Sequence, residues 1–271
     1  MAISSFIPKV WSARLQENFR KALVFGSLCS RSYEGEISQW GDTVHIANLA
    51  DITVRPYDLA TDLAEPETLT GSDIILTIDH GAYYNFLIND VDAAQARVDV
   101  MDGAMRNAAY QLAEDAERYI LDTIREGAGT KVSGAVPKES EGGLYGLLIT
   151  IKNALDLKHV PRFNRKLVVP VSIEGQLLMD ERFVNGSAAA EQRLAEGAIG
   201  RAAGFDIYVS ADLTDEIIAM VPEAITFANQ ISRTDAYRPE KGFCDGIKGL
   251  NLCGCKVIIP DGVYIHTITA A

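Results

Sequence analysis

The sequence is poor in the residues on which most enzyme chemistry is built. Its four histidines, His45, His80, His159 and His266, stand at no metal-ligand spacing from one another. Of its four cysteines, Cys244, Cys253 and Cys255 fall close together, but the Cys-x-Cys has no CxxC partner and reads as small residues in adjoining strands. No HExxH helix, GxxxxGK[ST] loop, GxGxxG turn or GxSxG elbow occurs, which removes zincins, P-loop enzymes, dinucleotide binders and α/β hydrolases in turn. No catalytic, metal-binding or cofactor-binding residue is therefore expected. No apolar run approaches the ~18 residues that would span a membrane. The start, Met1-Ala2-Ile3-Ser4-Ser5, has neither the charge nor the apolar core of an export signal, so all four cysteines, Cys29 included, are expected to be free thiols.

Positive charge is the next scarcity. Asp and Glu number 37 against 25 Lys and Arg, a net charge of −12, which makes a grip on nucleic-acid phosphates a poor expectation. The imbalance is local. Residues 51–102 carry eleven acids against Arg55 and Arg97, whereas residues 1–25 carry Lys9, Arg14, Arg20 and Lys21 against Glu17.

What the chain does have is one long periodic stretch. From Asn89 to Gly129 there is no proline, and Met101, Met105, Ala108, Leu112, Ala116 and Tyr119 recur at steps of three or four. Ala109, Ala113 and Ile120 widen this stripe, while Arg106, Glu114, Glu117, Arg118, Asp122 and Arg125 are expected on the opposite, polar face. Glu114–Arg118 and Arg118–Asp122 have the spacing of helix ion pairs. With Asn89, Asp90 and Asp92 as capping candidates, the stretch predicts a helix of about 35 residues, roughly 50 Å long. Globular helices average about 11–12 residues, so one this long reads either as a long core helix of an α/β enzyme or as a spine across which an extended subunit is laid.

The remainder arranges itself around that spine. Residues 9–25 predict an amphipathic helix carrying Trp11, Leu15, Phe19 and Ala22. Thr43–Leu49 and Asp73–Asp79 predict two strands, and between them lie Pro56, Pro66 and the acids Asp58, Asp62, Glu65 and Glu67. The pattern is that of a protruding two-stranded arm. After a glycine- and charge-rich connection over 127–143, the pattern predicts a helix over Leu144–Leu157 and a strand over Lys166–Val169 ending at Pro170. Ser172 is placed to cap the following helix, with Glu174 in its first turn. Residues 185–204 read as loop with a short helix, and Phe205–Ser210 as a strand. A β-rich close follows, from an apolar run over 217–231 broken at Pro222 to strands over Cys255–Ile259 and Val263–Thr269 about the turn Pro260-Asp261-Gly262.

In this order the segments resemble the major capsid proteins of tailed bacteriophages, which have the Hong Kong 97-type fold. Local stretches carry the likeness along nearly the whole chain. They are Phe6-Ile7-Pro8-Lys9-Val10-Trp11-Ser12, Gly41-Asp42-Thr43-Val44 and Leu167-Val168-Val169-Pro170. Leu177-Leu178-Met179-Asp180-Glu181-Arg182-Phe183, Gly197-Ala198-Ile199-Gly200, Gly204-Phe205-Asp206-Ile207-Tyr208-Val209-Ser210 and Gly254-Cys255-Lys256-Val257 complete them. The resemblance implies an α+β fold with an N-terminal arm (1–40), an extended loop (41–80), a peripheral domain holding the spine (81–143 and 213–271) and an axial domain (144–212). It further implies self-assembly as hexamers and pentamers into an icosahedral head around double-stranded DNA in the bacterial cytoplasm, with a separate scaffolding protein and a portal as partners. Some relatives cross-link subunits through Lys and Asn, which the lysine-free stretch 41–80 makes a poor expectation here. For subunit contacts, charge points to Arg14, Arg20 and Lys21 of one copy meeting Asp58, Asp62, Glu65 and Glu67 of the next. Two alternatives remain open on the sequence: the shell of a bacterial nanocompartment, and a soluble α/β enzyme with its site near 127–143.

Overall fold

The computed structural model describes residues 24–33, 43–49, 54, 71–89, 100–138, 142–179, 200–239 and 244–269. The predicted helix over 9–25 lies outside them save for its last two residues, and most of the stretch 185–204 lies outside them too. The described chain opens with a one-turn helix α1 (Phe25–Leu28), followed by strands β1 (Thr43–Leu49), β2 (Gly71–Thr77) and β3 (His80–Asn89). The spine α2 (Val100–Gly127) leads to β4 (Thr130–Gly134), α3 (Gly143–Leu157), β5 (Arg165–Pro170) and α4 (Val171–Met179). Then come β6 (Arg201–Ala202), β7 (Phe205–Ser210), β8 (Glu216–Met220), β9 (Ile225–Tyr237), β10 (Cys244–Val257) and β11 (Val263–Ile268), with 3-10 turns at Pro222–Ala224 and Pro260–Gly262.

These strands make three sheets. β1 and β2 form an antiparallel hairpin, from Thr43 opposite Thr77 to Leu49 opposite Gly71. β3, β10 and β9 form an antiparallel sheet in that order, β10 slipping register against β9 at Leu250/Asn251. The third is a mixed six-stranded sheet, ordered β4-β11-β8-β5-β7-β6, with β4 parallel to β11 and β5 parallel to β7.

The six-stranded sheet is a wall between two cores. Along β5, Val168 faces the spine while Leu167 and Val169 face α3 and α4. Ile218 and Met220 of β8, with Val263 and Ile265 of β11, join the spine core; Ile217, Ala219 and Tyr264 join the other. Alternation of side chains across a strand sends each successive residue to a different core, which is why these strands read as unbroken apolar runs. Leu144, Leu147, Leu148, Ile151 and Leu155 are the buried stripe of α3, as their spacing predicts.

Several expectations need correction. Asn89 is the last residue of strand β3, while Asp90, Asp92 and the rest of 90–99 lie outside the described residues. The spine is described over 28 residues, about 42 Å of rise. Its buried face lies further round than the stripe suggests. Met105, Ala109, Leu112, Ala113, Ala116, Ile120, Leu121 and Ile124 are buried, while Ala108 and Tyr119 sit at the margin. Sheet on one side and α1 on the other widen that face until it takes in Glu117, which is buried instead of solvated. Asp122 pairs with Arg125, and Arg118 with Glu114. The connection over 127–143 contains a strand, β4, and Ser172 falls inside α4, which starts a residue earlier at Val171.

Candidate assembly surfaces

Glu117 shows how the N-terminal segment is tied down. Its carboxylate accepts the backbone N–H groups of Phe25 (2.9 Å) and Gly26 (3.0 Å), satisfying free donors at the start of α1. Burial raises the Glu117 carboxyl above its ordinary range despite those bonds. Phe25 is wholly buried beside it, and Arg31 donates from Nε to the Gly26 carbonyl at 3.0 Å while lying over the Phe227 ring. The Ser30 N–H reaches the Ile225 carbonyl at 2.9 Å and the Ser30 carbonyl takes the Phe227 N–H at 2.9 Å, so residues 25–30 are stitched to β9. Position signalled this role: Glu117 lies four residues after Ala113 and three before Ile120, both buried. Residue type concealed it.

The arm is anchored by one face of its stem. Val44 and Ile46 of β1 with Leu76 and the adjoining Ile78 pack on Ala228 and Leu252 of the three-stranded sheet, while His45 and Asp73 stay exposed. Where β2 ends, the chain crosses β10 directly over Gly254. A Cβ there would meet the Thr77 carbonyl oxygen at an impossible separation, so glycine is what permits the crossing. A second close approach joins the far end of the spine to the β10–β11 turn, where the Gly129 N–H donates to the Pro260 carbonyl at 2.9 Å.

At the root of the arm a polar cluster bridges to the spine. His80 Nε2 lies 2.6 Å from Asp115 Oδ2, and its ring stacks on Tyr119 with centroids 4.4 Å apart and planes inclined by 14°. The Tyr119 hydroxyl donates to Asp79 Oδ1 at 2.7 Å and accepts the Cys255 N–H at 3.4 Å. Burial and the bond to Asp79 raise the tyrosine's pKa well above its usual value. Beyond this cluster, an open cleft of about 690 Å³ runs between β3 and α2, walled by Ala82 to Leu87 on the strand and by Asn107, Gln111 and Asp115 among others on the helix.

The seven charged residues singled out for subunit contacts, Arg14, Arg20, Lys21, Asp58, Asp62, Glu65 and Glu67, lie outside the described residues. The structure does give the points from which their segments depart. These are Val24 at the spine, and the paired ends Leu49 and Gly71, between which residues 50–70 run. Apolar side chains stand exposed elsewhere on the subunit. Leu157 is 82% exposed, Phe163 69% and Met179 84%, on or beside α3 and α4. The stretch 127–143, site of the enzymatic alternative, supplies an edge strand whose Gly134 carbonyl lies 3.3 Å from His266 Nε2. Among the described residues no three His, Cys, Asp or Glu side chains gather as metal ligands. All four cysteines are buried and unpaired; burial pushes the Cys255 thiol to about 12 and raises those of Cys29 and Cys253.

Comparison with known proteins places these features in a family. The model of the family described as phage capsid protein matches residues 81–250, well over half of the chain. A chain from Mycobacterium phage Che8 superposes with a TM-score of 0.76 at 28% identity, covering 90% of each chain. The capsid structure of cyanophage P-SCSP1u gives 0.73 at 15% identity over 92% of this chain and 89% of that one. A virus-like particle from Pyrococcus furiosus gives 0.63 at 12% over 94% and 97%. No curated protein matches the sequence.

Proposed function

This chain belongs to the phage capsid protein family, and from that premise we propose that it assembles as hexamers and pentamers into an icosahedral head around double-stranded DNA. Its role is structural, in the virion capsid, and its fold is the Hong Kong 97-type α+β fold. Full-length likeness to capsid chains is the observation that carries the reading. Leu157, Phe163 and Met179 support it, since side chains left this exposed by their own subunit are suited to burial against a neighbour.

The parts take roles accordingly. Residues 1–40 serve as N-terminal arm and 41–80 as extended loop; 81–143 with 213–271 form the peripheral domain, and 144–212 the axial domain. Most residues of each core fall on one side of that division, while Val168, Ile217, Ala219 and Tyr264 cross it in the sheet that the two parts share. Assembly takes place in the host cytoplasm with a separate scaffolding protein and a portal. The net charge of −12 suits a wall past which DNA slides without sticking.

Neighbouring subunits recognise each other in part by charge. Arg14, Arg20 and Lys21 of one copy meet Asp58, Asp62, Glu65 and Glu67 of the next, each pair contributing about 0–1 kcal/mol and several acting together around a ring. The test is electron microscopy of the purified protein beside circular dichroism. Closed shells are expected from the native chain, and a folded subunit without shells when the four acids are changed to Lys. A native chain that stays monomeric with its scaffolding protein at high concentration overturns the assembly reading. Normal shells from the quadruple variant overturn the charge pairing alone. The second reading is the shell of a bacterial nanocompartment, with which the likeness to a virus-like particle is equally consistent; shells that carry nuclease-protected DNA decide against it.

A further inference from the structure

The cleft between β3 and α2 has firm walls. On the spine side Ala104 and Ala108 are too short to close the gap, and Leu112 lies buried beneath them. On the strand side Tyr84 and Phe86 stack with centroids 5.9 Å apart. The Tyr84 hydroxyl lies 3.4 Å from Thr234 Oγ1, and its ring crosses Gly249 so closely that any side chain there would collide with it. At one end stand the carboxylates of Glu114 and of Asp115, which meets His80, with one guanidinium, Arg118, already engaged by Glu114. The cleft is thus apolar within and acidic at one end, and its volume of about 690 Å³ suits a few large side chains.

The acidic end is also where the N-terminal segment meets the spine. Val24 packs at the margin of the spine core, and the Phe25 N–H is held by Glu117, within one turn of Asp115 and Arg118. Residues 1–23 precede that point, and their sequence complements the cleft. Trp11, Leu15 and Phe19 share one side at helical spacing, and Lys9, Arg14, Arg20 and Lys21 stand against Glu17 alone. As a helix, Trp11 to Phe19 covers about 12 Å, and the spine from Ala104 to Arg118 offers about 21 Å. Residues 20–23 supply up to about 14 Å of extended lead, enough to pass round the flank of a helix.

We propose that this cleft is the seat of the chain's own N-terminal segment, with Trp11, Leu15 and Phe19 inserted between β3 and α2 and the basic lead passing the acidic end. The tether at Val24 gives the segment an effective concentration on the order of millimolar, which a second copy or a separate partner must exceed. The segment brings the large apolar side chains that the two alanines leave room for. Seated so, Arg14, Arg20 and Lys21 stay at the surface, where the arm of the next copy can reach them. The pairing between copies then starts from a fixed platform, although the seating itself does not depend on assembly.

The test is disulfide trapping in the unassembled full-length chain, whose own four cysteines are buried. Leu15→Cys combined with Asn107→Cys or with Gln111→Cys, two positions one turn apart on the cleft wall, should close a bond within one chain on air oxidation. Leu15→Cys combined with Leu157→Cys, exposed in the other lobe, should not. A second readout uses Trp40→Phe, which leaves Trp11 as the only tryptophan. Acrylamide should quench Trp11 roughly two- to fivefold less in that chain than after a further Ala108→Phe, which fills the cleft. Bonds that form only between chains overturn the proposal, because the cleft then receives a second copy. It is overturned as well if neither cleft pair closes, or if the Leu157 pair closes as readily. Equal quenching with and without Ala108→Phe in a folded chain also defeats it, leaving the cleft to a separate partner. Trapping needs no cleft-filling variant, so it decides alone if Ala108→Phe does not fold.

Discussion

The spine and the arm are both long, regular elements, but they are held in opposite ways. α2 is enclosed by sheet and by α1, with eight apolar side chains and one carboxylate inside. The β1–β2 stem rests one face on two residues of β9 and β10 and shows its other face to solvent. The first is part of the cooperative core; the second is a satellite that can open by itself. A subunit divided in this way keeps its body fixed while one element remains free to adapt to a neighbour.

The sharpest way to break the contrast is to strike the spine. Ile120→Ala, at a fully buried site, should cost about 2–5 kcal/mol of global stability, read as a fall in the denaturation midpoint of the whole chain. Next comes Glu117→Ala, which leaves the Phe25 and Gly26 N–H groups without their acceptor and should cost about 1–3 kcal/mol, with exchange rising first over 24–33. Glu117→Gln adds a pH test. Since burial raises the native carboxyl, the ionised form is the costlier one when folded, and this group's contribution is present at low pH and lost as pH rises through the raised value. The glutamine variant should therefore lose more stability, relative to native, at about pH 4 than at about pH 7.

On the arm side, Leu76→Ala empties a fully buried position of the small cluster. Its effect should appear as lost protection over 43–49 and 71–77 while the global midpoint moves by less than about 1 kcal/mol. A cooperative fall in the midpoint as large as that of Ile120→Ala would erase the distinction between satellite and core. Smallest of all, Arg118→Ala removes the exposed pair with Glu114 and should cost about 0.3–0.5 kcal/mol by the same denaturation measurement.

Periodicity made the spine, α3, β1, β5 and β7 legible, because a repeat of 3.6 or 2 shows in the sequence wherever one face is buried. Pairing was not legible. β10 binds β3 and β9, and neither strand's pattern names that partner across the chain. β4 escaped because Lys131, Val132 and Ser133 are all exposed, so a five-residue edge strand left no alternation to read. The Glu117 anchor was hidden by its charge. The His80 cluster was hidden by distance, since Asp115 and Tyr119 come 35 and 39 residues later and no motif links them. Of the assembly surface, the sequence offered only opposite charges on two segments, and charge by itself fixes neither geometry nor partner.

The wall between the two cores has a consequence for how such a chain can change over generations. A residue inserted within β5, β8 or β11 inverts every side chain beyond it, and here both faces are buried. One slip would expel Val168 from one interior and Leu167 from the other at once, and neither lobe could take over what its neighbour lost. Single-residue indels in these strands are thus closed to drift, and length variation is pushed to the loops and the arm. A lineage descended from this chain is free to lengthen or recharge what its subunits show one another, while the partition passes on with its register unaltered.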